Sequence, residues 1–233
     1  MYRLLLWGLL LCSPLLLAAQ STPVGAWYIY FGNQRIAKNW TWFNEVQYRN
    51  FNFGGDLEQL LLRTAVGYNL TEGNNNLALG YGFIHGRPYD SVGHKSSLDE
   101  HRVYQQFISR QQFGRFYLLH RYRIEERWIG ANADFALRFR YFLSLNVPLN
   151  KPTMEARALY LSLYSEIFVG QRSHEISFDR ERVYAALGYA VSKDFRVELG
   201  YMSQLRAHNA RPQLQLVIFN NLPIYRPPAD SDK

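Results

Sequence analysis

Cysteine is all but missing. The single one, Cys12, lies within the first twenty residues, so the chain beyond it can form no disulfide and run no thiol chemistry. After residue 20 there is also no run of helical period, and no apolar stretch approaches the roughly 20 residues a membrane-spanning helix needs. No Gly-rich phosphate loop, zinc-type cysteine pattern or nucleophile elbow occurs, which sets aside the cytosolic enzyme classes built on them.

The start of the chain accounts for Cys12. Met1-Tyr2-Arg3 opens with a positive charge, Leu4 to Leu11 is apolar, and a second leucine run ends at Ala18-Ala19. A basic start, a short apolar stretch and small residues at its end predict a signal peptide over residues 1–19 and export. Leu11 before Cys12 is not small, which argues against a lipid-modified cysteine. An exported chain of 233 residues without disulfides must be stabilised by its sheet, and in a barrel also by lipid. The net charge of +7 is compatible with nucleic-acid binding in general. Here, however, the arginines alternate inside strands instead of clustering, so no nucleic-acid partner is expected.

What is present is a recurring block of alternating residues closed by Gly, Asn, Asp or Pro. The blocks predict strands at 24–31, 40–51, 58–69, 76–85, 99–110, 115–127, 133–147, 157–170, 178–190, 194–205 and 211–220. Strands of nine to eleven residues or more suit a tilted transmembrane barrel strand better than a soluble one. Along these blocks one face is apolar, as in Trp40, Trp42, Val46 and Tyr48, or Leu187 and Tyr189. The other carries Glu45, Gln47, Arg49, Arg63, Glu166, Arg182, Arg196 and Glu198. The fold class that follows is all-β: an antiparallel transmembrane β-barrel of about 10–12 strands, apolar face to lipid and polar face to the interior.

The domain plan is a signal peptide at 1–19, an N-terminal segment 20–39 with one candidate strand, a barrel over 40–220, and a Pro-rich tail 221–233. Segment 24–31 is the odd eleventh piece, open to three readings: a plug, a periplasmic strand, or part of a twelve-stranded barrel. Short links after Asn69, Arg110, Val147 and Ala190, against long ones at 86–98 and 171–177, predict which rim faces the periplasm. Leu-Gly-Tyr recurs at 79–81, 187–189 and 199–201. The tyrosines are expected outward in an interfacial girdle and the glycines inward, making room for large neighbours.

The densest chemistry lies in His120 to Trp128. As a strand it places Arg121, Arg123, Glu125 and Arg127 on one face, and His120, Tyr122, Ile124 and Glu126 on the other. With Glu100, Arg102, Arg138 and Arg140 on the flanking strands, these four form an interior ladder expected to pair Glu125 with Arg102 and Glu100 with Arg127. Some arginines are left over, and the wall can serve either as a structural polar filling or as a seat for an anionic ligand. A general porin is not expected, since so few strands leave little open lumen.

Catalysis has one weak candidate, His120, pointed at lipid with Gln105 or Gln106 and Tyr141 expected beside it and Ser109 too far away. His85, Asp90 and His94 fit no metal-ligand spacing, so neither metal nor cofactor is expected; His101, His174 and His208 add no pattern.

In its order of motifs the chain resembles a bacterial outer-membrane barrel family without assigned activity, domain of unknown function 2490. The likeness runs through Trp40-Thr41-Trp42, Glu45 to Arg49, Glu100 to Gln106, His120 to Arg127, Arg138 to Tyr141, Glu166 to Phe168, and Phe178 to Tyr184. It covers nearly the whole chain after the signal. It implies an outer-membrane barrel, without catalytic residues to carry over. The chain departs from the usual barrel pattern at its end, where the Pro-rich tail follows Phe219.

The leading expectation is an outer-membrane protein of a Gram-negative cell, structural or with narrow passage or binding of an anionic ligand. Its partners would be outer-membrane lipid and the barrel-assembly machinery; the oligomeric state is not fixed. Two alternatives stand: an outer-membrane acyl hydrolase or transferase, and a secreted lipocalin-like protein with the leucine and tyrosine face inside.

Overall fold

The computed structural model describes residues 24–71, 74–172, 175–207 and 209–225. The expected signal peptide and the tail beyond Tyr225 lie outside the described residues. The elements are β1 (Gly25–Arg35), β2 (Trp40–Asn50), β3 (Leu57–Thr71), β4 (Asn75–Gly86), β5 (Leu98–Phe113) and β6 (Phe116–Ile129). They continue with β7 (Asp134–Pro148), β8 (Leu159–Arg172), β9 (Glu175–Ala190), β10 (Phe195–Arg206) and β11 (Asn209–Asn220). Every strand pairs with its sequence neighbours, and β1 meets β11 to close the barrel.

The alternation of sequence becomes an alternation of burial. Glu45 and Arg63, side by side on β2 and β3, are 2% and 8% exposed, whereas Leu79 and Leu199 are 60% and 64% exposed. Trp40, Trp42, Tyr68, Leu77, Tyr81, Leu187 and Tyr189 share that exposed outer face. Water would not select this arrangement, because it hides ions and bares leucines. The polarity is inverted relative to a sheet that wets its charged face and buries its apolar one. It is also the reverse of what the lipocalin-like alternative requires.

The inward glycines do make room. A Cβ on Gly188 would lie 2.2 Å from the Tyr160 ring, and one on Gly80 would lie 2.3 Å from the Tyr104 ring. Each tyrosine therefore lies across a glycine of the neighbouring strand, its ring flat against backbone.

Segment 24–31 is none of the three things expected of it. It is part of β1, a full barrel strand, so the barrel begins at Gly25 rather than Trp40 and has eleven strands. An odd number of up-and-down strands leaves the first and last running the same way, and β1 pairs β11 in parallel from Gly25↔Gln213 to Gly32↔Asn220. After β11 the chain lies against the end of β1, where Ile224 and Tyr225 donate backbone hydrogen bonds to the Arg35 carbonyl (3.0 and 2.8 Å).

The expected contrast of short and long links holds in part: the links after β3, β5 and β9 are short and 87–97 is long, but two links depart from it. The link after Val147 is long, spanning 149–158, and Arg115 Nη2 anchors it by donating to the carbonyls of Pro148, Leu149 and Lys151. Between β8 and β9 only residues 173–174 intervene. We call the rim carrying the links after β1, β3, β5, β7 and β9 the first rim, and the opposite one the second. At the second rim, loops 51–56 and 87–97 are tied together. Lys95 pairs with Asp56 and donates to the Leu57 carbonyl at 2.8 Å, while Tyr89 Oη donates to Asp56 at 3.0 Å.

Candidate functional site

The ladder on β5, β6 and β7 faces inward as a connected ion network. Glu125, with no exposed surface, is its hub. One of its oxygens accepts from Arg138 (Nε 2.9 Å, Nη2 2.5 Å) and the other from Arg140 Nη1 at 2.5 Å. Arg123 and Arg102 complete the circle at 3.5 and 3.8 Å. Glu100 is gripped by Arg102 at 2.6 and 2.9 Å and by Arg127 at 2.5 and 3.1 Å. Both expected pairs, Glu125 with Arg102 and Glu100 with Arg127, are therefore formed.

Most of the expected surplus of arginines is taken up by groups outside the ladder. Glu166 on β8 accepts from Arg121 Nη2 (2.8 Å) and from Arg140 Nε and Nη2 (3.0 and 2.5 Å), with Arg182 at 3.6 Å. Arg123 donates to Gln106 at 3.1 and 2.6 Å, and Arg138 reaches Asp179 at 3.5 Å. The Phe168 ring carries the guanidiniums of Arg138, Arg140 and Arg182 at 5.4, 4.6 and 4.7 Å. Such a buried network is high-stakes: its members neutralise one another, and losing one leaves its partners charged and dry.

The network divides the interior. Toward the second rim the lumen is packed by the buried side chains of Glu100, Arg102, Arg123, Glu125 and Arg138, none of which lines the cavity on the other side of the network. Toward the first rim lies a cavity of about 280 Å³, reaching Asn33, Asn146 and Asn221 at that rim. Of the eight ladder residues, only Arg121 and Arg140 line it. Its other charged lining comes from Arg49, Arg63, Arg110, Arg182 and Arg196 and from Glu45, Glu166 and Glu198. Seven arginines thus face three glutamates, a formal excess of four positive charges around one cavity.

The opposite wall differs. Trp27 and Ile29 of β1, Tyr184 of β9, Met202 of β10 and Val217 of β11 form a buried apolar cluster, with Phe31, Tyr164 and Phe219 packed on it. Arg49 lies over the Trp27 ring at 3.9 Å, and Arg196 over Phe219 at 5.0 Å. Glu198 is held by Tyr160 Oη (2.9 Å) and Tyr184 Oη (3.2 Å). The sequence reading did not single out this wall as part of a site. The signal was present in β1, where Ala26 to Phe31 is apolar on both faces, as a strand between an apolar exterior and an apolar interior must be.

On the outer face His120 Nδ1 and Tyr141 Oη are 2.9 Å apart, as expected. The expected distance to Ser109 is corrected. Ser109 pairs directly with His120, and Gln105 and Gln106 instead face Ile124 and Arg123. The reason is the tight turn: Gly114, at φ 57°, lets Phe113 pair with Phe116, which sets the register of the hairpin. No hydrogen bond joins Ser109 to His120. The loop histidines go separate ways: His85 Nδ1 is 2.6 Å from Asp99, and His94 Nδ1 is 3.7 Å from Asp90. Among the described residues no three ligating side chains converge on a metal position. His174 and His208 lie outside the described residues.

Fold and interior together define a class: a closed β-barrel with an apolar exterior and an ion-paired, half-filled interior. The profile of a protein family of unknown function, DUF2490, matches residues 24–215, and the chain belongs to that family. An uncharacterised protein of Methylorubrum extorquens is 29% identical over 171 residues, covering 70% of each chain. No solved structure matches.

Proposed function

We propose that this protein is an outer-membrane barrel that holds a small anionic ligand in a cavity open to one rim, and that it does not conduct solute across. The observation that carries this reading is the inverted burial: ions inside, leucine and tyrosine outside, on strands of 11 to 16 residues. An exterior of this kind is stable against lipid acyl chains. The expected signal peptide supports export, and assembly would then fall to the cell's barrel-insertion machinery. The packed half of the lumen argues against passage, and the excess of arginines around the cavity argues for an anion.

Two measurements test this. Fractionation should find the protein in the outer membrane of a Gram-negative host, as a band that migrates differently unboiled and boiled on a denaturing gel. Planar bilayers containing the purified protein should show no stepwise conductance. A soluble periplasmic band without a heat shift would overturn the membrane reading, and steady ion conductance would overturn the closed interior.

A lipid-modifying enzyme is the second reading, favoured by the Ser109–His120 juxtaposition on the outer face. It predicts lipid turnover that His120→Ala abolishes without altering the heat-shifted band.

A further inference from the structure

The cavity has two chemically distinct walls, and together they specify more than an anion. On the β2, β3, β6 and β7 side stand Arg63, Arg121 and Arg140; on the β1 and β11 side stand Ile29, Phe31, Val217 and Phe219. A free inorganic anion would be served by the first wall alone. Apolar side chains turned into the lumen of a barrel whose outside is already apolar are not needed to meet lipid, and they sit where polar residues would have been solvated.

The donors point the same way. Arg63 Nε, Arg121 Nε and Trp27 Nε1 are buried and have no hydrogen-bond acceptor among the described residues, and all three residues line this cavity. A buried donor without an acceptor is costly, so such donors mark where an acceptor-bearing group is held.

We infer that the ligand is a small amphipathic organic anion, with its acidic head against Arg121 and Arg63 and its apolar body along the β1–β11 wall. This rests on the anion-binding reading above and adds the apolar body. At about 280 Å³ the space lies near the lower end of small-molecule sites, roughly 300–1,000 Å³. The body is accordingly a single short chain or one ring, not a multi-chain lipid. Entry is from the first rim, where the cavity ends on Asn33, Asn146 and Asn221.

The test is titration calorimetry on the full chain in lipid nanodiscs, with protein-free nanodiscs as blank and octanoate, octanol and inorganic phosphate as probes. Octanoate should bind at least about tenfold more tightly than either of the others, since only it satisfies both walls. Arg121→Gln, which leaves Glu166 to Arg140 and Arg182, should weaken octanoate by about tenfold. Phe219→Ala should weaken octanoate and leave phosphate unchanged, with Phe31→Ala as the second variant if Phe219→Ala loses its heat-shifted band.

Equal binding of octanoate and phosphate would overturn the apolar-body assignment and leave the anion site standing. Octanol as tight as octanoate, or no binding by any probe, would overturn both. Octanoate binding unchanged in Arg121→Gln and both phenylalanine variants would mean partition into lipid only, and would overturn the inference.

Discussion

The two halves of the barrel interior are built on opposite principles. Around β5 to β8, Glu100, Glu125 and Glu166 bind arginines from neighbouring strands in contacts as short as 2.5 Å, and toward the second rim this network fills the lumen. Along β1 and β9 to β11, the lumen is lined by Trp27, Phe31, Val217 and Phe219, and space remains. Charge pairs are directional and fix the register of the strands that carry them. Apolar contacts tolerate a gap and accept a guest. The same barrel thus keeps rigidity on one side and room on the other.

The sharpest way to break that contrast is to remove the hub of the rigid side. Glu125→Ala leaves Arg138 with only the 3.5 Å contact to Asp179 and Arg140 with Glu166 alone in a dry interior and should cost about 3–5 kcal/mol, read as a lower urea midpoint for loss of the heat-shifted band. Next comes the glycine seat. Gly188→Val drives a branched side chain into the Tyr160 ring and breaks the Tyr160–Glu198 hydrogen bond, for about 1–3 kcal/mol. Gly170→Ala, with nothing within 4 Å of the added carbon, should leave the midpoint unchanged and serves as its control.

The roomy side should forgive more. Phe219→Ala should cost about 1–2 kcal/mol, below the usual ~3–5 for a fully enclosed phenylalanine, because its ring already borders the cavity. A larger loss than that of Glu125→Ala would reverse the assignment of which side carries the stability.

The smallest effect lies outside the barrel wall. The hydrogen bond from Lys95 holds the Asp56 carboxyl below its ordinary value of 3.8. Its contribution is therefore fully present above that value and is lost as pH falls through the lower folded one. The pair is partly solvated, so the gain is about 0.2–1 kcal/mol. Asp56→Asn should lower the unfolding midpoint slightly at about pH 6, with the difference from the wild type shrinking as pH falls below 3.8.

Where residues alternate strictly, the sequence was legible. Strands β2 to β11 and the direction of Glu45, Arg138, Leu79 or Tyr189 follow from a period of two that burial obeys. The Glu125–Arg102 and Glu100–Arg127 pairs were legible too, because the pairing of oppositely charged faces on adjacent strands leaves few choices. Three things were not. Segment 24–31 lacks alternation, since both its faces meet apolar surroundings, so its place as the closing strand was hidden. The β5–β6 register depends on a turn at Gly114-Arg115 that pairing energy alone does not announce, which is how Ser109 was placed away from His120. The split into packed and open parts depends on Glu166, Asp179 and Phe168 meeting arginines one or two strands away, and no linear pattern encodes that reach.

The parallel seam between β1 and β11 has a consequence for sidedness. In a barrel with an even number of strands, the chain enters and leaves at the same rim. Here it enters β1 at the second rim and leaves β11 at the first. Gly25 and Asn220 therefore lie at opposite rims, so the first and last strands of the closed sheet open onto different faces of the barrel.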